Sequence, residues 1–258
     1  MPLLIATDQE GGRVQRITNG VTARPAQKAL AGTNPAVLTC SYYGLGRQLR
    51  ALGVNQDFAP DADVVTTSAG VIGDRSFGPD PVLDATDVRA AVTGLQDAGV
   101  LATLKHWPGH GSTKTDSHAA LTVIYQSAHT WRTHDLVPFA ASAPIAAGIM
   151  VGHLTLPALD PTGRAATFSP TLVAGRLRGQ LRYFGLIITD SLFMAPARAA
   201  GTPAQVALLA VNGATTSSSS PPACPRQPRP FWRRCTPTPP SARSSTPRPG
   251  ASWRPRRS

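Results

Sequence analysis

Apolar residues along this chain gather into five short runs: LLIAT (3–7), VNQDFAP (54–60), VLATLK (100–105), AGIMVGH (147–153) and GLIITD (185–190). Each is short enough for a strand, and the segments between them carry helical periodicity. The clearest helix opens at Asp80-Pro81, an N-cap followed by a first-turn proline, and sets Val88, Val92 and Leu95 on one face with Asp87, Arg89 and Gln96 elsewhere. It ends at Gly99, where the next apolar run begins. Similar helices are expected over 36–52, 131–143 and 169–183. Strands alternating with helices predict a parallel sheet with right-handed crossovers.

The polar residues after each run narrow the fold. Asp8 follows the first; Asp57, Asp61 and Asp63 lie in or after the second; Lys105 and His106 close the third, His153 the fourth and Asp190 the fifth. Ionisable groups delivered at the C-terminal ends of parallel strands are the arrangement of a (β/α)8 TIM-type barrel. A doubly wound sheet would place ligands at the same end, but the chain has no glycine-rich phosphate turn of the GxGxxG kind. The expected class is therefore α/β, a TIM-type barrel with five of its eight strands in view.

Charge divides the chain in two. Residues 214–258 hold nine arginines and no acidic group, leaving 16 basic and 14 acidic residues in 1–213. The overall charge of +11 thus belongs to the tail, which also holds 11 of the 25 prolines and no apolar periodicity. Such a segment cannot bury enough surface to offset its ordering entropy, and disorder is expected over 214–258, with the barrel domain over 1–213. A basic tail can bind nucleic acid, an anionic polymer or a membrane surface. The abrupt onset and the Arg, Pro, Ser composition fit an out-of-frame reading of a GC-rich gene better, so no nucleic-acid partner is expected. Cys40 lies in the body and Cys224 and Cys235 in the tail, a distribution that shows no disulfide framework or spaced metal-ligand set. No run reaches membrane-spanning length, and MPLLIATDQEGG lacks the features of a signal peptide. The chain as written is expected in the cytoplasm, or at the cell envelope or outside it if a leader once preceded residue 1.

Four segments carry candidate chemistry. TDQEGGRVQR (7–16) is a polar loop whose glycines allow close backbone approach; it reads equally as a solvated turn held by its own salt bridges. Residues 58–81 form a long connection in which Arg75 offers a fork of donors to hydroxyls or a carboxylate, or simply pairs with Asp74. KHWPGHGSTKTDSH (105–118) holds three of the six histidines. Zinc ligation by His106, His110 and His118 would need a helix that the PGHG turn breaks, so no metal is expected, whereas Asp116 can orient His118 as a proton donor. Asp190 ends a strand, placed to attack an electrophilic carbon or to cap the next helix.

Together DQEGGRVQR (8–16), NQDFAPDADV (55–64), IGDRSFGPDP (72–81), KHWPGHGSTKTDSH (105–118) and GLIITDSLFM (185–194) resemble the family 3 glycoside hydrolases, in particular their β-N-acetylglucosaminidase branch. The resemblance runs over roughly residues 3 to 213. It implies retaining exo-hydrolysis of terminal β-linked N-acetylglucosamine, typically from peptidoglycan fragments, without a cofactor. It assigns Asp190 as nucleophile, His118 as general acid/base polarised by Asp116, and Asp8, Arg16, Arg75, Lys105 and His106 as sugar-binding residues. Glycines around His110 would let the loop swing His118 over the scissile bond. Ser191 stands where relatives usually have a second aspartate, and Trp107 where phenylalanine is common. Relatives also have two strands before DQEGG and one after the last helix, so the chain is expected to be truncated at its N-terminus and out of frame at its C-terminus. An inactive or sugar-binding remnant, a metal-dependent hydrolase and a phosphate-accepting glycosidase are the alternatives.

Overall fold

The computed structural model describes residues 3–65, 70–113 and 121–214. It opens with β1 (Ala6–Thr7), then a small antiparallel hairpin of β2 (Gln9–Gly11) and β3 (Val14–Gln15). Gly11 and Gly12 turn this hairpin at φ +105° and +56°, where a Cβ would also strike the backbone of Pro25 and the side chain of Ala26. Helices α1 (Gln27–Leu30) and α2 (Pro35–Ala51) lead to β4 (Gln56–Asp57), and a single turn over Gly73–Arg75 leads to α3 (Pro81–Asp97) and β5 (Leu101–Trp107). After β6 (Thr122–Val123) come α4 (Ala128–Thr133), α5 (Leu136–Ser142), β7 (Gly148–Val151) and β8 (Leu154–Thr155). A π-helix over Thr171–Gln180, β9 (Leu186–Thr189), α6 (Ala195–Arg198) and α7 (Pro203–Ala214) complete the described chain.

All five expected strands form one sheet, in the order β1-β4-β5-β7-β9, with every pairing parallel. The sheet curls into an arc, the α/β architecture of a (β/α)8 barrel left open. Among the described residues β1 and β9 each have one partner strand, so the arc has two edges. The expected tail lies outside the described residues except for Ala214, the last residue of α7.

Asp80 caps α3 as the sequence implied, its carboxylate accepting from the N–H of Val82 and Leu83 ahead of Pro81. Val88, Val92 and Leu95 are fully buried against Leu38, Tyr42, Leu45 and Leu49 of α2. Asp87 departs from the simple amphipathic pattern. It is buried too, because its carboxylate accepts the N–H of Gly32 at 2.8 Å. At the end of β5, Trp107 meets Trp131 and Phe139 edge to face at 5.8 and 5.4 Å, and its indole N–H donates to the Leu172 carbonyl. The residue at the end of β5 is thereby fixed, and with it the backbone of Lys105 and His106.

Candidate active site at the strand ends

Lys105 and His106 lie near the C-terminal end of β5, and both side chains are buried there. A buried ammonium needs anionic partners, and Lys105 has two: Asp8 at 2.7 Å and Glu10 at 2.5 Å. Glu10 also takes a bidentate pair from Arg75, 2.7 Å from Nε and 2.8 Å from Nη2. Thus three segments far apart in sequence, residues 8–10, 75 and 105, are locked by a single buried carboxylate. Burial works to raise the pKa of Glu10, but Lys105 and Arg75 outweigh it and bring it down to about 2.

A second carboxylate layer follows β4. Asp57 receives the N–H of Gln9 at 2.9 Å, tying this strand to the β2–β3 hairpin, and burial pushes its carboxyl up to about 7. Asp61 is held by its backbone to the Gln27 amide and lies 3.6 Å from the Arg75 guanidinium. Burial and the neighbouring Asp63 charge raise its pKa well above the usual carboxylate range. Asp63 accepts three hydrogen bonds, from the backbone N–H of His106 and His110 at 3.1 and 2.6 Å and from His106 Nδ1 at 2.7 Å. Burial acts to raise its pKa, but the two histidines and their N–H groups bring it to about 2.

Asp190 follows β9 at the same end of the sheet, its N–H bonded to Val151. Its Oδ1 accepts from Ser191 N–H at 2.7 Å, and α6 begins only at Ala195 behind Met194, so Asp190 caps no helix. Burial favours its neutral form, but His106, the Ser191 N–H, His153 and Lys105 outweigh it and lower the pKa. Asp190 thus lies within electrostatic reach of Lys105 and His106 at the strand ends. His153 bonds Thr167 and the Ser191 carbonyl through its two ring nitrogens and stacks on Phe168, bracing the turn that carries Asp190.

The structure therefore brings Asp8, Arg75, Lys105, His106 and Asp190 to one end of the sheet. Arg16 bonds the Asp8 carbonyl through its backbone N–H and has an exposed side chain. Asp116 and His118 lie outside the described residues. Arg75 is not held by its sequence neighbour: Asp74 pairs with Arg13 at 3.1 Å instead. Nor is DQEGG a solvated turn closed on itself, because Glu10 is 1% exposed and its partners come from elsewhere.

Glu10, Asp61 and Asp63 escaped the sequence argument as site residues. The signal available was the surplus of carboxylates over cations at strand ends, which burial obliges to pair. Asp61, Asp63 and His106 bring donor atoms within 4.8 Å of one another, a set that could hold a metal ion by ligand type. Here the Asp63–His106 contact is a hydrogen bond, and Arg75 supplies positive charge beside Asp61. His110 meets His106 edge to face at 5.7 Å and bonds Thr113, and burial lowers its pKa to about 4.

Residues 1–216 match the profile of the glycosyl hydrolase family 3 N-terminal domain. A β-hexosaminidase of Pseudomonas aeruginosa is 38% identical over 201 residues, covering 77% of this chain and 60% of the relative. One from Alkalilimnicola ehrlichii is 41% identical over 208 residues, covering 78% and 59%. The chain thus spans less than two thirds of these relatives. Among solved structures, a family 3 β-N-acetylglucosaminidase from Paenibacillus sp. superposes with a TM-score of 0.79 at 38% identity, over 83% of this chain and 41% of that one. NagZ from Neisseria gonorrhoeae, solved with N-trifluoroacetyl-D-glucosamine, gives 0.75 at 32% identity, over 82% and 63%.

Proposed function

Since the chain belongs to glycosyl hydrolase family 3 through its N-terminal domain, we propose that it carries the catalytic half of a retaining exo-β-N-acetylglucosaminidase. The substrates are terminal β-linked N-acetylglucosaminides of the kind released from peptidoglycan. The observation that carries this reading is Asp190: a carboxylate at the end of β9, whose pKa the buried His106 and Lys105 help to lower.

In the first step an Asp190 oxygen attacks the anomeric carbon while the glycosidic C–O bond breaks. The leaving oxygen takes a proton from His118, whose ring Asp116 polarises, and a glycosyl ester on Asp190 results. Water then attacks the same carbon, returns a proton to His118 and releases the Asp190 carboxylate, so that configuration is retained. Arg75, Lys105 and Asp8 offer donors and an acceptor to the sugar's hydroxyls, and Glu10 holds the two cations in place between turnovers. No step needs a cofactor.

The test is turnover of p-nitrophenyl N-acetyl-β-glucosaminide by the purified chain, with mass spectrometry of the quenched enzyme for a sugar adduct. Activity that falls roughly a thousandfold or more in Asp190→Ala is expected. Unchanged turnover in that variant, or inversion of configuration in the released sugar, overturns the reading. Calorimetric binding of N-acetylglucosamine without turnover would instead identify a sugar-binding remnant.

A further inference from the structure

We propose that Asp63 is a positioning residue for the sugar pocket: by accepting from Nδ1 of His106 it fixes the ring tautomer and leaves Nε2 as a hydrogen-bond acceptor toward the ligand. The inference rests on the sugar-pocket reading above and deepens it.

Two contacts restrain the His106 ring independently. On one side Asp63 Oδ2 lies 2.7 Å from Nδ1, while the other carboxylate oxygen is already occupied by the N–H groups of His106 and His110. A carboxylate in this setting only accepts, so the proton sits on Nδ1. On the other side Arg75 Nη2 stands 3.4 Å from Nε2, and a guanidinium only donates. One tautomer satisfies both neighbours. Asp63 is fully buried and so cannot itself meet a ligand, whereas His106 keeps 6% of its surface exposed at the strand ends.

The consequence for recognition follows from the chemistry of a hydroxyl, which donates once and accepts as well. Arg75 and Lys105 both present only donors to the pocket. A hydroxyl that accepts from Arg75 still needs an acceptor beside it for its own proton, or that group is buried unsatisfied. Nε2 of His106 receives only a long 3.4 Å contact from Arg75, which a ligand hydroxyl can take over, so the hydroxyl can donate to the ring while accepting from Arg75. The opposite tautomer would turn His106 into a third donor and set Nε2–H against Arg75.

Asp63→Asn tests this directly. The amide oxygen can still accept from the two backbone N–H groups, but the NH2 that replaces Oδ2 forces Nδ1 to accept, and the ring proton moves to Nε2. The tautomer is read from the ring nitrogen couplings of the isotopically labelled full chain by NMR. Affinity for N-acetylglucosamine is read by calorimetry, and the backbone spectrum reports whether the fold is kept. The expected result is Nδ1–H in the unsubstituted chain, Nε2–H in Asp63→Asn, and binding weakened roughly tenfold by the lost acceptor. An Nε2–H tautomer in the unsubstituted chain overturns the inference whether or not the variant folds. So does unchanged affinity once the tautomer has moved. A chain that binds no sugar while carrying the proton on Nδ1 contradicts the sugar-pocket reading and not the tautomer assignment.

Discussion

Burial pushes the Asp57 carboxyl up to about 7, so between about pH 4 and 7 the folded chain holds a proton that the unfolded chain has released. Its contribution to stability therefore declines as pH rises through that window. Asp57→Asn should flatten the decline, seen as a smaller drop in urea midpoint from pH 4 to 7. Glu10 has the opposite sign. With its pKa brought down to about 2, the unfolded chain takes up the proton first, so its stabilising contribution is complete above about pH 4.5 and drains away as pH falls toward 2. Glu10→Gln should remove that acid limb and, by leaving two cations short of a partner, destabilise the fold by on the order of 3 kcal/mol at pH 7. Arg75→Lys should not rescue function, because an ammonium cannot reproduce the two parallel bonds to Glu10. These effects show why single residues were only partly legible. Asp8, Lys105 and His106 advertise themselves by ending apolar runs, whereas Glu10 sits between a glutamine and a glycine pair in what reads as an ordinary polar turn. Its importance comes from Arg75 and Lys105, which lie 65 and 95 residues away in sequence.

At the level of elements, the five strands and the helices 36–52 and 81–97 could be read from periodicity and caps because they are long or sharply punctuated. The helix expected over 131–143 is in fact α4 and α5, separated at His134 and Asp135. Pro138 explains the break: it has no N–H for the carbonyl of His134, and the chain restarts its helix with Asp135 buried and bonded to Gln126. The pairing of β6 with β8 went unread because two-residue strands show no period. The contact between α2 and α3 depends on a missing side chain. A Cβ at Gly94 would press on the Thr39 carbonyl and stand 2.8 Å from both the Tyr42 Cβ and the Tyr43 nitrogen. Gly94→Ala should raise helix propensity yet lower stability, by about 1–3 kcal/mol, in thermal or urea unfolding. A neutral or stabilising effect would mean that the two helices can separate without loss.

Among the described residues, the open arc leaves apolar residues at its margins: Leu3, Leu4 and Ile5 before β1, Phe184 before β9 and Leu186 at its start, and Leu208 and Leu209 on α7. A cavity of about 560 Å³ lined by Leu121, Phe168, Pro196 and Leu209 lies on the α6–α7 side. Unpaired edges flanked by such residues favour association. Sedimentation velocity should show a mass that rises with concentration, and Leu4→Lys combined with Phe184→Lys should reduce it; a mass independent of concentration would mean the margins are inert. The five apolar runs were legible in the sequence, but not which side chains the open arc would expose. The strand order β1-β4-β5-β7-β9 has one more consequence. Each strand of this sheet docks against the sheet strand that precedes it in the chain, so the sheet can be laid down vectorially as the polypeptide leaves the ribosome. Within this sheet each new strand finds its neighbour already made, and nascent chains halted after β5 or β7 should already shield their earlier sheet strands from protease.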